Sequence, residues 1–376
     1  MDQHPRTCQR CGLPEGRSRV RLNADGICNF CGFWEHRGRE LLDTASRRSE
    51  LGARFLDHRA EGEYTAAAGL SGGKDSTFVL HQLRSEYRIP VLAMTFDNGF
   101  LTEHTRDNVR AIVDASGVDH ILHRPDWDAF RAFYRGTLLR LGDPCIACSI
   151  GGYALAIKAS GERRIPFFVH GRSPMQMFRS CHPRSRDPGL ATVRQNLSGY
   201  RPNALRRTYR VLGWKLRWLL RMIEPDRTMR RRILAEFFGI DLARKSVVAE
   251  FLAFFLFEPY DEEGIKRFLE TRPTGYRRPS GDAQLGHGDC LIHDACGYLY
   301  QKQHGVTRVG LEVAMMRRSG QIDAKAARAI LEGSVPRKEE LEASIDHLLS
   351  SLDVTRHEFD ALVRRLERRG SPSPLA

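Results

Sequence analysis

Between Tyr64 and Leu83 the chain reads YTAAAGLSGGKDSTFVLHQL, small apolar residues giving way to two glycines, a lysine and hydroxyls before apolar periodicity resumes. A short strand ending at Leu70, a loop of Ser71, Gly72, Gly73, Lys74, Asp75 and Ser76, and a helix starting at once would aim unpaired amides at whatever lies over the loop. Such a loop suits an anion. The glycines admit close backbone approach, Lys74 adds a point charge, and the hydroxyls of Ser71, Ser76 and Thr77 can donate further hydrogen bonds. The common nucleotide-triphosphate loop needs G-x-x-x-x-G-K followed by Ser or Thr. Here the interval from Gly69 to Gly73 is one residue short and Asp75 follows the lysine, which disfavours an ATPase of that type. A ligand-free glycine turn is the plain alternative.

Nine cysteines, mostly in close pairs, are the second chemical signal. Cys8 and Cys11, then Cys28 and Cys31, form two C-x-x-C knuckles with the separation of a four-cysteine zinc site, and Asp25-Gly26 supplies a turn before the second pair. So few apolar residues surround them that metal is expected to fold this small N-terminal module. Cys145 and Cys148 follow Pro144 at the entry to a helix, where a thiol pKa is depressed, which suits metal ligation or persulfide formation. A pair of ordinary buried cysteines is the other reading. Cys290 and Cys296 read either as a source of a third ligand or as helical core cysteines, and Cys181 falls in a loop.

The elements that must position these residues alternate. YTAAAGL, IPVLAMTF, VDHILH and IPFFVHG read as strands, and helical patterns cover Thr77 to Tyr87, Glu103 to Ser116, Asp128 to Leu141 and Gly151 to Gly161. Strands alternating with helices of this length imply a doubly wound parallel sheet, an α/β class. Beyond about Ser173 a Pro- and Arg-rich connection leads into helical stretches with no further strand series, and GSPSPLA closes the chain as a disordered tail. The expected division is a zinc module over 1–40, the α/β domain over 41–180, a mainly helical substrate or partner domain over 181–335, and a helical tail over 336–376.

The 376 residues carry 59 Lys and Arg against 46 Asp and Glu, a formal net charge of +13 that favours an anionic partner without choosing one. No signal peptide is seen, and the most apolar run, Val247 to Tyr260, is interrupted by Glu250 and too short to span a bilayer, so a cytoplasmic protein with reduced cysteines is expected. From Arg201 to Arg232 lies a basic stretch containing Arg206, Arg207, Arg210, Lys215, Arg217, Arg221, Arg230 and Arg231, with Tyr209, Leu212, Leu216, Leu219 and Ile223 on one helical face and Trp214 and Trp218 beside them. It reads as a solvated face, a membrane-surface contact, or an RNA-phosphate contact.

The string SGGKDS resembles the signature of the PP-loop ATP pyrophosphatases, over the region from about Tyr64 to Arg172. The resemblance implies an adenine nucleotide alpha-hydrolase-like fold, with ATP and Mg2+ bound at the loop and Lys74 acting on the phosphates. It also implies adenylation of a carbonyl or carboxylate oxygen with release of pyrophosphate. Asp97, in MTFDNG, stands where an acidic residue of that family holds the adenosine; a turn aspartate beside Asn98-Gly99 is the alternative. Gly171, in FFVHGRSP, stands where a glycine lies beside the nucleotide.

Across nearly the whole chain, CxRCxLPE, DGICNFC, SGGKDS, the Cys145 and Cys148 pair, DCLIHD and RSGQIDAKAARAIL follow an order that resembles the N-acetyl sugar amidotransferases of surface-polysaccharide biosynthesis. That implies amidation of an acidic sugar with ammonia from a separate glutaminase. Gly171-Arg172-Ser173-Pro174 stands where that family's acidic step is expected, so the substrate can differ. The loop and its downstream C-x-x-C also resemble the tRNA thiolation enzymes. This alternative implies a sulfurtransferase in which Cys145 and Cys148 hold a 4Fe-4S cluster or sulfur and RNA is the partner. A zinc-bearing binding adaptor with a decayed loop is a third possibility, disfavoured by the intact SGGKDS.

Overall fold

The computed structural model describes residues 6–16, 20–35, 44, 47–58, 62–178, 217–238, 249–278 and 289–369. Five strands, β1 (Ala66–Gly69), β2 (Val91–Phe96), β3 (Asp119–His123), β4 (Phe167–His170) and β5 (Glu250–Ala253), form one sheet in the order β3-β2-β1-β4-β5. Every pairing is parallel; Ala68 lies opposite Ala93 of β2 on one side and Val169 of β4 on the other. This is a doubly wound parallel sheet of the α/β class, with a four-cysteine group before it and mainly helical chain after it.

Successive residues of β1 point to opposite faces, and they sort into two cores. Ala66, Ala68 and Leu70 pack with Leu80 and Leu83 of helix Lys74–Ser85, with Val109 and Ile112 of Glu103–Ser116, and with Leu51 and Phe55 of Arg47–Asp57. Ala67 packs on the other face with Leu155, Ala156 and Ala159 of helix Cys145–Glu162. Burial on both faces explains strands that read as continuous apolar runs rather than alternating ones.

That same property hid β5. The apolar run from Val247 to Tyr260 carries no period that separates a buried strand from a buried helix, and the sequence reading placed no strand after Ser173. In the structure Glu250–Ala253 lies against β4 and continues into a short 3-10 turn, Phe254–Leu256. The α/β unit therefore extends beyond residue 180, because the sheet edge at β4 is covered by chain from residue 250 onward.

A second core is built mainly between helices, with Phe96 at the end of β2 against it. Phe130, Phe133 and Tyr134 of helix Trp127–Gly136 pack with Leu219, Leu220 and Ile223 of the 217–223 helix and with Leu299, Leu348 and Phe359 of helices His293–His304, Lys338–Leu352 and Arg356–Arg369. The N-terminal cysteines do not form a self-contained unit: Leu13, Val20 and Phe30 share a core with Tyr300, Val306, Leu311 and Ala314, the last two on helix Arg308–Arg318. Of the basic stretch, 201–216 lies outside the described residues, as do Cys181 and the GSPSPLA tail. Within the described part, Leu219 and Ile223 are buried as the helical face required, whereas Trp218 is 42% exposed.

Phe254 is fully buried between Tyr87, Phe78 and Phe255. Phe254→Ala should cost about 3–5 kcal/mol in urea unfolding, whereas Leu122→Ala, at a position 45% exposed, should cost less than about 1 kcal/mol.

Candidate active site

The strand order reverses at β1, with β2 and β3 on one side of it and β4 and β5 on the other, so the crevice between the C-terminal ends of β1 and β4 is the topological switch point of the sheet. The Ser71–Ser76 loop occupies it. Gly72 takes a φ of +79°, and a Cβ there would meet Thr105 O at 3.0 Å. The loop is tied internally: Ser71 N–H donates to Ser76 Oγ at 3.2 Å, and the Ser76 and Thr77 hydroxyls donate to Gly73 O at 3.0 and 2.8 Å. Thr95 Oγ1 donates to Leu70 O at 2.7 Å and Asn108 Nδ2 to Gly72 O at 3.2 Å, which fix the loop's entry. The amides of Gly72, Lys74, Asp75 and Ser76 have no acceptor among the described residues, and they are the donors an anion would meet. The Thr77 side chain is turned inward as a structural donor.

From the other side, Gly171 at the end of β4 closes on the same loop. A Cβ at 171 would sit 3.0 Å from Asp75 O and 3.2 Å from Ser76 N, so any other residue would push the helix start away. Lys74 is engaged rather than open. Its Nζ donates to Asp75 Oδ1 at 2.7 Å and to Tyr260 OH at 2.9 Å, lies 3.8 Å from Glu262 Oε1, and sits 5.4 Å from the Tyr260 ring centroid. Burial raises the Asp75 carboxyl above its ordinary value while the lysine charge opposes that rise. These groups line a small cavity with Ser173, Gln176, Glu312 and Met316. Tyr260 and Glu262 come from FEPYDEE just after β5, and missing that strand concealed their approach to the loop.

Asp97 follows β2 at the same sheet edge and is 5% exposed. Its Oδ1 accepts the Gly99 N–H at 3.1 Å, and its Oδ2 faces Arg124 Nε at 3.0 Å and Arg106 Nε at 3.6 Å. The carboxylate thus has the partners of a turn residue and of a buried ion pair, both of which an incoming nucleotide would have to share. Asn98, its neighbour, donates from Nδ2 to Cys148 Sγ at 3.3 Å.

That contact leads to a group of four thiols. Cys145 and Cys148 open helix Cys145–Glu162, and Cys290 and Cys296 pack in the same core. Cys290 arrives there because residues 289–291 bridge 100–102 in antiparallel fashion, with Leu291 N–H donating to Phe100 O at 2.8 Å. Arg308 Nη1 donates to Cys145 Sγ at 3.3 Å, and Arg308 Nη2 pairs with Asp143 at 3.3 Å. A hydrogen bond with Cys296 draws the Cys145 thiol down to about 7; burial works against this and the Arg308 charge works with it. Burial pushes Cys148 up to about 11 and Cys290 higher still, so one thiolate stands among thiols near neutral pH. Tyr134 is 1% exposed, and its hydroxyl interacts with the adjacent Cys148 thiol and has no other hydrogen-bond partner among the described residues. A buried hydroxyl whose one polar neighbour is a thiol fits a site that holds sulfur.

The N-terminal set is of another kind. Cys8, Cys11, Cys28 and Cys31 are buried with all four Sγ atoms within 4.8 Å of one another, and among the described residues this is the one set so closed. The Cys8–Cys31 and Cys11–Cys28 pairs are 3.8 and 3.6 Å apart. A tetrahedron with metal–sulfur bonds of about 2.3 Å has edges of about 3.8 Å, so the thiols fit a single zinc ion. Hydrogen bonds from Cys28 and Cys31 hold the Cys11 thiol far below its ordinary value, and the same contacts push the Cys28 and Cys31 thiols up. The Cys145 group is not closed to that spacing.

No family model matches the chain, and no curated protein matches it. Among solved structures it is similar to a U34-tRNA thiolase, NcsA from Methanococcus maripaludis with its 4Fe-4S cluster, at 16% identity and a TM-score of 0.32, over 97% of this chain and 88% of that one. Among the described residues, no helix is long and apolar enough to cross a membrane.

Gly171→Ala should both destabilise the fold by about 1–3 kcal/mol, as overpacking does, and weaken the binding of any nucleotide phosphate the loop receives, because its clash falls on the loop itself. Urea unfolding and calorimetric titration with ATP measure the two effects separately.

Proposed function

We propose that the chain is an ATP pyrophosphatase of the PP-loop kind, which adenylates a carbonyl or carboxylate oxygen and then replaces that oxygen with sulfur held at the Cys145 and Cys148 site. Magnesium-bound ATP enters with its phosphates over the Ser71–Ser76 loop, where the free amides of Gly72, Lys74, Asp75 and Ser76 meet the β- and γ-phosphates. The acceptor oxygen attacks the α-phosphorus, pyrophosphate leaves, and the acceptor carries AMP. Lys74 supplies the charge that stabilises the leaving pyrophosphate once the phosphates draw it from Asp75 and Tyr260. An oxide leaves poorly, whereas an oxygen bearing AMP leaves as a stabilised phosphate, so a modest nucleophile can complete the exchange.

The observation that carries the choice of sulfur is the gathering of Cys145, Cys148, Cys290 and Cys296 at the edge of the sheet that also carries the loop, joined to β2 through Asn98. Cys145, Cys148 and a third thiol from Cys290 or Cys296 would hold a 4Fe-4S cluster, which when bound supplies a coordination site for inorganic sulfide. Hydrogen bonds from Cys296 and Arg308 favour the thiolate of Cys145. RNA and a small carbonyl compound both remain within the acceptor class.

Amidation of an acidic N-acetyl sugar, with ammonia from a separate glutaminase, is a second reading. Arg172 favours it: this exposed guanidinium stands at the rim of the crevice, 5.5 Å from the Tyr153 ring centroid, where a sugar carboxylate could be received.

Lys74→Ala should lower pyrophosphate release by about 100-fold or more and leave zinc content unchanged; retained turnover would remove the loop from the mechanism. ADP and orthophosphate as products would do the same. Anaerobically purified protein should contain zinc together with about four irons per chain, and Cys145→Ser with Cys148→Ser should remove the iron and the sulfur transfer together. Zinc alone, with ammonia-dependent turnover intact in the double variant, would establish the second reading.

A further inference from the structure

The helix Arg308–Arg318 has an arginine at each end, and both contact sulfur. Arg308 reaches Cys145. Ten residues later, about 15 Å along the axis, Arg318 Nε donates to Cys31 Sγ at 3.2 Å and Arg318 Nη2 to Cys11 Sγ at 3.4 Å, its guanidinium lying 5.5 Å from the Phe30 ring centroid. Between the two arginines, Glu312 and Met316 line the Lys74 cavity, while Leu311 and Ala314 complete the core around Cys8, Leu13 and Val20. One rigid element therefore touches the N-terminal thiols, the wall beside the phosphate loop, and the second cysteine group.

The charges make this connection conditional. Four thiolates on a zinc dication leave about two negative charges, and Arg318 offsets part of that with two donors to two different sulfurs. Without the metal nothing bonds the two knuckles to one another, and the two sulfurs that Arg318 bridges are free to part. The module has few contacts of its own to fall back on, since its apolar residues are buried on Tyr300, Val306, Leu311 and Ala314.

We propose that Arg318 is a positioning residue that makes docking of the N-terminal module on this helix depend on metal at Cys8, Cys11, Cys28 and Cys31, so that metal occupancy fixes the wall of the Lys74 cavity and the contact of Arg308 with Cys145. The inference is independent of which nucleophile displaces AMP.

The test uses full-length, zinc-loaded protein. Arg318→Met should lose zinc to a chromogenic chelator about 10- to 100-fold more readily than wild type, with Arg318→Lys between them and Arg328→Met, an exposed control, unchanged. In wild-type protein, complete chelation should raise hydrogen exchange across residues 300–318 while the β2 segment 91–96 stays protected. Arg318→Met that holds zinc within about twofold of wild type would overturn the proposal. So would unchanged exchange over 300–318 after full zinc removal, and so would loss of protection in β2 at the same time, which would make metal a requirement of the whole fold. The wild-type exchange measurement stands even where a variant fails to fold.

Discussion

The approach of the end of β4 to the start of helix Lys74–Ser85 is the contact on which the candidate site depends. With no side chain at Gly171, the strand passes the Asp75 carbonyl and the Ser76 amide at a separation that leaves no room for a Cβ. The loop is held from the opposite side by Gly72 against Thr105 and Val109. Pinned between two close backbone contacts, the loop cannot collapse onto its own amides, and the hydrogen bonds of Ser71, Ser76 and Thr77 are spent on shape, leaving backbone donors for a ligand.

Around that fixed point the charged groups are arranged in pairs that satisfy one another. Lys74 rests among Asp75, Tyr260 and Glu262; Asp97 rests between Arg124 and Arg106; Arg308 and Arg318 rest on thiols. Burial makes each lone charge costly, so every functional candidate carries a partner that a substrate or metal must replace or share. A buried lysine with an acidic partner stays compact without a ligand, and an incoming anion would gain only the difference between the two pairings.

The two cysteine groups share residue type and C-x-x-C spacing but differ in closure. The N-terminal four are held at the edge length of a metal tetrahedron by two knuckles and the Arg318 donors, whereas the later four come from two distant segments joined by the bridge of 289–291 to 100–102. Proximity of the second group therefore depends on the packing of helices far apart in the chain, which is also what buries the Tyr134 hydroxyl against Cys148.

Local rules were enough for much of this. The strand, glycine loop and helix around Ser71–Ser76, the two zinc-spaced knuckles, and the helix that Cys145 and Cys148 open all depend on neighbours within a few residues, and Glu103–Ser116 appears with the limits its pattern set. What sequence could not supply were relations across the chain: β5 at residue 250 against β4, Tyr260 and Glu262 on Lys74, Cys290 and Cys296 beside Cys145, and Arg318 on the N-terminal thiols. Periodicity and spacing report the conformation of a segment and the face it must bury. They are silent on which distant surface covers that face, because that choice is made by the packing of the whole chain.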